Sequence, residues 1–303
     1  MSEKTEVIQK QLTEAIIRQL EDNPGDWTKP WQGAGRMPHN PQSGTIYSGG
    51  NYMVLMFLSP DPADPRWSTY KGWAKLGGNV KKGETGTPII YWGRSFVCET
   101  CGKWSKTECK AHPGSSQSRM MARSYSVFHA SQVENAPRWE QPEVSPLINV
   151  EDYRKWFKSI GADWRETPSD RAFYSPSGDY INTPEDVQFE GGAEWFGVVA
   201  HEFTHWTGAE SRLNRKAENN GERTGYAFEE LVAELGAVFL SNHLGVAISP
   251  RKDHGSYIAS WLKALNGDHK FVWDAASKAS KALKFLTEAA DEIPSPELAE
   301  IHT

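Results

Sequence analysis

The sequence predicts an α+β protein of two domains: an aromatic-rich α+β N-terminal domain and a mainly helical C-terminal domain with a small β-hairpin. The charge is divided unevenly, because residues 1–135 contain 16 Lys and Arg against 12 Asp and Glu, whereas residues 136–303 contain 17 against 27. Gly, Pro and aromatic residues are abundant in the first half, and helical patterns dominate the second. Residues 134–147 carry three Pro and no clear periodicity, which predicts a linker at 136–147 between domains 1–135 and 148–303.

The N-terminal domain is predicted to open with an amphipathic helix over residues 1–22. Its apolar residues recur at helical spacing: Val7, Ile8, Leu12, Ile16 and Leu20. The Asn-Pro-Gly segment at 23–25 ends it. Residues 51–58 fit either a helix or a buried strand, and the runs at 87–92 and 125–128 predict β-strands.

The C-terminal domain is predicted to begin with a helix near residues 149–160. Two short β-type runs, 171–175 and 179–183, flank a Pro-Ser-Gly turn and predict a hairpin. Further helices are predicted at 192–207, 226–244, 255–265 and 271–290.

The chain shows no apolar run that approaches the length of a bilayer span. Residues 1–22 mix charged and apolar residues, unlike a signal peptide. We therefore expect a cytoplasmic location and no membrane partner.

The segment His201-Glu202-Phe203-Thr204-His205 forms the pattern His-Glu-x-x-His. Histidines four residues apart face one side of a helix and can share one zinc ion. Glu202 can then act as the general base toward the attacking water. The pattern predicts a zinc-dependent peptidase site. The alternative is two helical histidines that only hydrogen-bond to solvent or carboxylates.

A third zinc ligand is predicted on the next helical pattern, where two acids share one face. Glu230 and Glu234 share this face with Ala233 and Ala237, whose small side chains permit close approach of another helix, and Glu229 is predicted to point elsewhere. The core face of this helix is predicted to comprise Phe228, Leu231, Val232, Leu235 and Phe239. We predict that Glu230 binds zinc and that Glu234 orients a histidine ligand; the reverse assignment stays open.

Aromatic and basic residues are interleaved in the first half, as is typical of proteins that bind single-stranded nucleic acid. Their density is highest between residues 67 and 92. The predicted DNA contacts are Trp67, Tyr70, Lys71, Trp73, Lys75, Lys81 and Lys82. Further members of the pattern include Trp27, Lys29, Trp31, Arg36, Tyr91, Trp92 and Arg94. The alternative is that most of the tryptophans belong to the hydrophobic core.

All three cysteines of the chain fall within one short segment. Cys98 and Cys101 form one pair, and Cys109 and His112 form a second, which is the paired spacing of a structural zinc site. Lysines inside the segment would make such a knuckle basic. The alternative is free surface thiols beside an unrelated histidine.

Several stretches resemble ArdC-like antirestriction proteins, which conjugative plasmids and related mobile elements carry. The stretches are NPQSGTIYSGGNYMVL at 40–55, WSTYKGWAKLGGNVKKGETGTPIIYW at 67–92, YSVF at 125–128, VAHEFTHWTGAESRL at 199–213 and YAFEELVAELGAVFL at 226–240. The resemblance implies an N-terminal single-stranded-DNA-binding domain, a C-terminal zincin-like domain and protection of incoming DNA from host restriction. The cysteine cluster is not part of the resemblance.

The sequence therefore predicts a DNA-binding zinc metallopeptidase of a mobile element, with single-stranded DNA and an unidentified protein substrate as partners. One alternative is a single-strand-binding protein that shields DNA and whose zinc site is structural or vestigial. Another is a peptidase unrelated to DNA, with an aromatic-rich domain that binds its substrate.

Overall fold

A computed structural model describes residues 3–22, 37–61, 63–140, 149–215, 223–246 and 265–291. Several sequence predictions fall outside these residues. They are the helix stop at 23–25, the aromatic and basic residues Trp27, Lys29, Trp31 and Arg36, most of the linker and all but the last residue of the predicted helix 255–265.

The N-terminal half is built around one long antiparallel hairpin. Strand β3 (Thr87–Cys98) pairs with β5 (Ser116–His129) along its whole length. Short strands flank the pair, β1 (Trp67–Ser68) beside β5 and β4 (Trp104–Ser105) beside β3, which gives the order β1-β5-β3-β4. A separate ladder joins β2 (Asn79–Val80) to β6 (Val133–Glu134).

Three helices accompany these strands: α1 (Glu3–Asp22), α2 (Gly50–Phe57) and α3 (Tyr70–Lys75). The helix predicted over 1–22 is confirmed, and residues 51–58 resolve as helix rather than strand. The sequence did not distinguish helix from strand here because four consecutive residues, Tyr52 to Leu55, are buried. Such a run shows neither the helical nor the strand spacing of polar residues.

The C-terminal half is mainly helical, as predicted. It contains α4 (Val150–Ser159), α5 (Gly192–Trp206), α6 (Arg223–Leu244) and α7 (Phe271–Ala289). A small sheet has the order β7-β9-β8, comprising β7 (Asp163–Thr167), β8 (Phe173–Ser175) and β9 (Tyr180–Pro184). The hairpin of β8 and β9 is confirmed, and β7 adds a parallel neighbour to β9.

One hydrophobic core spans both halves of the chain. Ile8, Leu12 and Ile16 of α1 belong to the same buried cluster as residues of α5, α6 and α7. The Tyr52 ring of α2 lies 4.2 Å from that of Phe239 on α6, and the Asn242 side chain donates to the Tyr52 hydroxyl. The α+β, two-domain fold class is confirmed, but the two halves pack on each other through buried apolar residues.

No described helix is both long enough and apolar enough to cross a lipid bilayer.

Candidate functional site

Helix α5 presents His201, Glu202 and His205 from one buried surface. The first two side chains are almost fully buried, and His205 is partly buried. Val199 and Phe203 on the other face are completely buried in the core. This apolar face fixes the rotation of the helix, so the His-Glu-x-x-His face must point toward α6.

The carboxylate of Glu230 on α6 lies close to the Nε2 atoms of both His201 and His205. The Nε2 atoms of His201 and His205 lie 3.0 Å apart. The Glu230 carboxylate oxygens lie 3.6 Å from Nε2 of His201 and 3.5 Å from Nε2 of His205. In a tetrahedron with zinc bonds of about 2.1 Å, neighbouring N and O ligand atoms lie about 3.4 Å apart. The three ligand atoms therefore fit one zinc ion and leave the fourth position for water or substrate.

Small residues allow α6 to approach α5 this closely. Ala233 and Ala237 are buried on the face toward α5, as predicted. Gly236, which the sequence prediction did not single out, makes the tightest contact: a Cβ at this position would meet Thr204 Cγ2 at 2.4 Å. Any side chain at residue 236 would separate the helices and move Glu230 away from the histidines.

A second pair of carboxylates contacts the outer nitrogens of the histidines. Glu234 Oε1 lies 3.1 Å from Nδ1 of His201, as expected for the group that orients this ring. Glu229 Oε1 lies 3.5 Å from Nδ1 of His205. The prediction that Glu229 points elsewhere is wrong. Glu229 and Glu230 are about 100° apart around α6. Their side chains are long enough that Glu229 contacts Nδ1 of His205 while Glu230 contacts Nε2 of the same ring.

Arg215 contacts Glu229 and the end of α5, and it was not identified from the sequence. Its buried guanidinium lies 2.7 Å from Glu229 Oε1 and donates to the Thr207 hydroxyl at 2.6 Å. It also donates to the carbonyl of Thr204, one of the last carbonyls of α5. No helical or strand spacing could reveal the contact, since Arg215 and Glu229 are 14 positions apart and on different elements.

Neighbouring charges lower the pKa of both Glu229 and Glu230, which favours their ionised forms. Burial raises the pKa of Glu230, but hydrogen bonds with His201 and Tyr226 and the charge of the two histidines outweigh it, so the pKa lies below its ordinary value. Burial likewise raises the pKa of Glu229, and His205 and Arg215 lower it further than burial raises it. An ionised Glu230 is the form that binds a metal ion.

The predicted DNA contacts divide into two groups. Trp67 and Trp73 are 1% and 0% exposed, so their rings cannot stack on a base, and these two assignments are corrected. Trp67 is buried in a small apolar cluster with Ile89 and Val127, and Trp73 in another with Ala130 and Val133. Trp73 Nε1 also donates to the carbonyl of Phe128. The accessible members are Tyr70, Lys71, Lys75, Lys81 and Lys82; their DNA contacts stay predictions.

A groove on the β3–β5 hairpin gathers aromatic and basic side chains. Its volume is about 460 Å³, and no Asp or Glu is among the described residues that line it. The larger side chains that line it are Tyr91, Arg94, Lys106, Met121, Arg123 and Tyr125. None of these six was among the predicted contacts, although Tyr91 and Arg94 belonged to the wider aromatic and basic pattern. The alternation of large and small residues along β5 was the available signal.

The cysteine cluster lies at the far end of the same hairpin. Cys98 is the last residue of β3, and the other three residues precede β5. One ligand atom from each of Cys98, Cys101, Cys109 and His112 lies within 4.8 Å of all the others.

Comparisons with known proteins match each half of the chain to a different family. Residues 6–128 match the family described as the N-terminal domain of anti-restriction factor ArdC, and residues 151–278 match the zincin-like metallopeptidase family. The crystal structure of metal-free antirestriction ArdC protein from plasmid R388 superposes with a TM-score of 0.75 at 31% identity, covering 93% of this chain and 97% of that one. This chain belongs to the ArdC antirestriction family.

Other similar proteins differ in length and in the function that their names indicate. The Mn(II)-bound structure of R388 ArdC matches with a TM-score of 0.73 at 32% identity, over 94% of this chain and 99% of that one. DNA primase TraC of Escherichia coli is 33% identical over 94% of this chain, which spans only 27% of TraC. The uncharacterized protein y4eC of Sinorhizobium fredii is 31% identical, and the match covers 92% of this chain and 91% of y4eC.

The zincin-like match confirms the predicted zinc cofactor at the level of the domain. The donor set of two imidazole nitrogens and one carboxylate is that of catalytic zinc sites with one open position. The Mn(II) in the R388 relative is a hard divalent ion that imidazole and carboxylate ligands also accept.

Proposed function

We propose that this ArdC-family chain binds single-stranded DNA and hydrolyses peptide bonds at the site on α5 and α6. The observation that carries the peptidase proposal is the convergence of His201, His205 and Glu230. Glu202, which is buried and follows His201 on the same helix, is the proposed general base. Three protein ligands and an adjacent general base are the parts that a zinc peptidase needs.

Each side chain has a separate task in this mechanism. His201, His205 and Glu230 would hold the zinc ion, which supplies a Lewis acid that acidifies water and polarises a carbonyl. Glu202 accepts the proton of the attacking water and returns it to the leaving amine. Glu234 and Glu229 keep the two imidazoles in the tautomer and orientation that present Nε2, since each contacts an Nδ1 atom.

The small sheet offers a place for the peptide. In the described part of the chain β8 pairs only with β9, so its other edge has unpaired backbone donors and acceptors. Both β8 and β9 pack against α5, which bears the His-Glu-x-x-His residues. An extended peptide can add to an open edge by main-chain hydrogen bonds, which recognise a backbone regardless of its sequence. We place the substrate strand along β8.

The groove on the hairpin is proposed to hold the DNA. Tyr91 and Tyr125 are 57% and 42% exposed, and their rings meet edge to face with centroids 6.1 Å apart. Tyr91 is directly opposite Arg123 in the strand register. Exposed aromatic rings stack on unpaired bases, and adjacent cations pair with phosphates. A duplex buries its base faces, so this combination favours single strands.

Tyr91→Ala is expected to weaken binding of a labelled single-stranded oligonucleotide by about 5- to 150-fold, the equivalent of ~1–3 kcal/mol for one lost stacking contact. Removing two cations with Arg94→Ala and Arg123→Ala should lower the slope of log affinity against log salt by about 1.4, at about 0.7 for each phosphate contact. Fluorescence anisotropy of the full chain across a salt series measures both effects.

A charge-matched control separates this groove from the predicted surface on α3. Lys71→Ala combined with Lys75→Ala also removes two exposed cations, from α3 rather than the hairpin. We expect a smaller change in affinity and slope than for the arginine pair. The reverse order would place the DNA on α3, and equal affinity for duplex and single strands would exclude base stacking as the basis of binding.

A further inference from the structure

The tip of the β3–β5 hairpin is folded without a hydrophobic core of its own. Between Cys98 and Ser116 nearly every residue is exposed or half-buried, including Trp104 at 52%. Apolar burial therefore cannot hold these residues in one conformation. Small units without a core are commonly stabilised by disulfides or by a structural metal ion.

We infer that Cys98, Cys101, Cys109 and His112 form a second zinc site, which is structural and fixes the tip of the hairpin beside the groove. The four residues come from two turns, each of which supplies a pair. Together they make the closed set of four ligands that distinguishes structural zinc sites from catalytic ones.

The distances between the ligand atoms fit this ion. The Sγ atoms of Cys101 and Cys109 are 3.8 Å apart. Nδ1 of His112 lies 3.5 Å from Sγ of Cys98 and 3.7 Å from Sγ of Cys109. Zinc bonds of about 2.3 Å to sulfur and about 2.1 Å to nitrogen in a tetrahedron give S–S edges of about 3.8 Å and S–N edges of about 3.6 Å.

A tight turn of the backbone brings Cys98 and Cys101 together. The turn is closed by Gly102 N–H to the Cys98 carbonyl at 2.8 Å. Gly102 has φ of 69°, a left-handed conformation that favours glycine. The turn therefore holds the first pair of sulfur ligands in place, and zinc binds cysteine as the thiolate.

A disulfide explains the cluster less well. A Cys101–Cys109 bond would leave Cys98 and His112 with their ligand atoms 3.5 Å apart and no function. Cys98 is buried, and its thiol faces the cluster. The chain has three cysteines, so a Cys101–Cys109 disulfide would leave Cys98 without a cysteine to pair with. A metal ion at the centre of the cluster would bind all four residues, whereas a disulfide would involve only two of them.

The inferred zinc site connects to the groove through Lys106, and this part of the inference rests on the proposed DNA binding. Lys106 lies between the two ligand pairs in sequence and lines the groove with Tyr91 and Arg123. A zinc ion that ties both ends of this segment would hold the Lys106 ammonium group in reach of a phosphate. Its loss would free the segment and remove one cation from the groove.

Zinc analysis of the full-length protein tests the site. Wild type is expected to contain about two zinc ions per chain, and Cys98→Ser combined with Cys101→Ser about one. A matched control, Thr100→Ser combined with Thr107→Ser, changes the same loop without touching a ligand and should keep both ions. An unchanged zinc count in the cysteine variant would overturn the inference, as would a single zinc in wild type that Glu230→Gln removes.

Cobalt substitution provides a readout that does not depend on how well the cysteine variant folds. Thiolate ligands give Co(II) an intense ultraviolet charge-transfer band, and every cysteine of the chain lies in this cluster. We expect the band in wild type and in Glu230→Gln, and its absence in the full-length cobalt protein would refute the site.

The link to DNA is measured separately. The cysteine variant should lower the salt slope of single-strand binding by about 0.7, the share of one phosphate contact. Loss of one zinc with an unchanged slope would refute the link to the groove. Failure of Tyr91→Ala to weaken binding would instead refute the proposed groove, whatever the zinc count.

Discussion

Glu230→Gln is expected to remove the zinc ion held by α5 and α6 and to abolish peptide hydrolysis with it. The substitution keeps the shape of the side chain but replaces the one anionic ligand by a neutral amide, beside two neutral imidazoles. Zinc per chain, measured after dialysis against a weak chelator, should fall by about one. Hydrolysis of a labelled unfolded protein should fall to the level of the buffer control.

Glu234→Gln is the matched control for this prediction, since it is the same change one helical turn away. Glu234 contacts Nδ1 of His201 rather than the ligand nitrogen, so zinc affinity should fall by only about 10- to 100-fold. Glu229→Gln should behave similarly through His205. If Glu234→Gln loses the metal while Glu230→Gln keeps it, the two roles are reversed.

Glu202→Gln is expected to lower the rate of peptide hydrolysis by about 10²- to 10⁴-fold, the usual contribution of a general acid–base group. Zinc content should stay at the wild-type value because Glu202 is not among the three converging ligands. Single-strand binding should also be unchanged, since the groove lies on the β3–β5 hairpin and Glu202 lies on α5.

Glu210→Gln serves as the control for this variant, because Glu210 is exposed and lies shortly after the end of α5. It should retain full hydrolysis. Plasmid transfer into a restricting host then distinguishes two ways of protecting DNA. Protection that survives Glu202→Gln comes from DNA binding alone. Protection that disappears, while DNA affinity persists, requires hydrolysis.

The local parts of the candidate metal site could be predicted from the sequence because a helix fixes the positions of its own side chains. His201 and His205 are one turn apart, so their common face follows from the spacing alone. Glu230 could be identified because the apolar residues of α6 define the core face and leave the acids on another. The closeness of the ligand atoms bears out this geometry, and the ligand roles stay predictions that zinc analysis tests.

Contacts between distant elements could not be predicted in this way. Arg215 follows α5 and contacts Glu229 of α6, and Glu229 lies near His205 because α6 approaches α5 closely at Gly236. Burial of individual tryptophans was equally invisible, since an exposed stacking ring and a core ring look the same in sequence. Trp67 and Trp73 proved to be core, whereas Tyr91 is exposed.

The shared core has a practical consequence for separating the two proposed activities. Ile8, Leu12 and Ile16 of α1 are buried in the cluster that contains residues of α5, α6 and α7. Residues 1–135 alone would expose this surface to water, which makes the isolated N-terminal half prone to unfold or aggregate. Point variants of the full chain are therefore the appropriate means to test each site.

The most direct test of the central proposal is the appearance of new protein amino termini, measured by mass spectrometry, in a bacterial lysate incubated with the purified zinc-loaded chain and single-stranded DNA. The lysate supplies many candidate substrates, so the measurement does not require the natural one to be known. The account predicts new termini with wild type and none above background with Glu202→Gln at the same zinc content. Identical sets of termini for the two proteins, with or without DNA, would contradict the assignment of a peptidase site to α5 and α6.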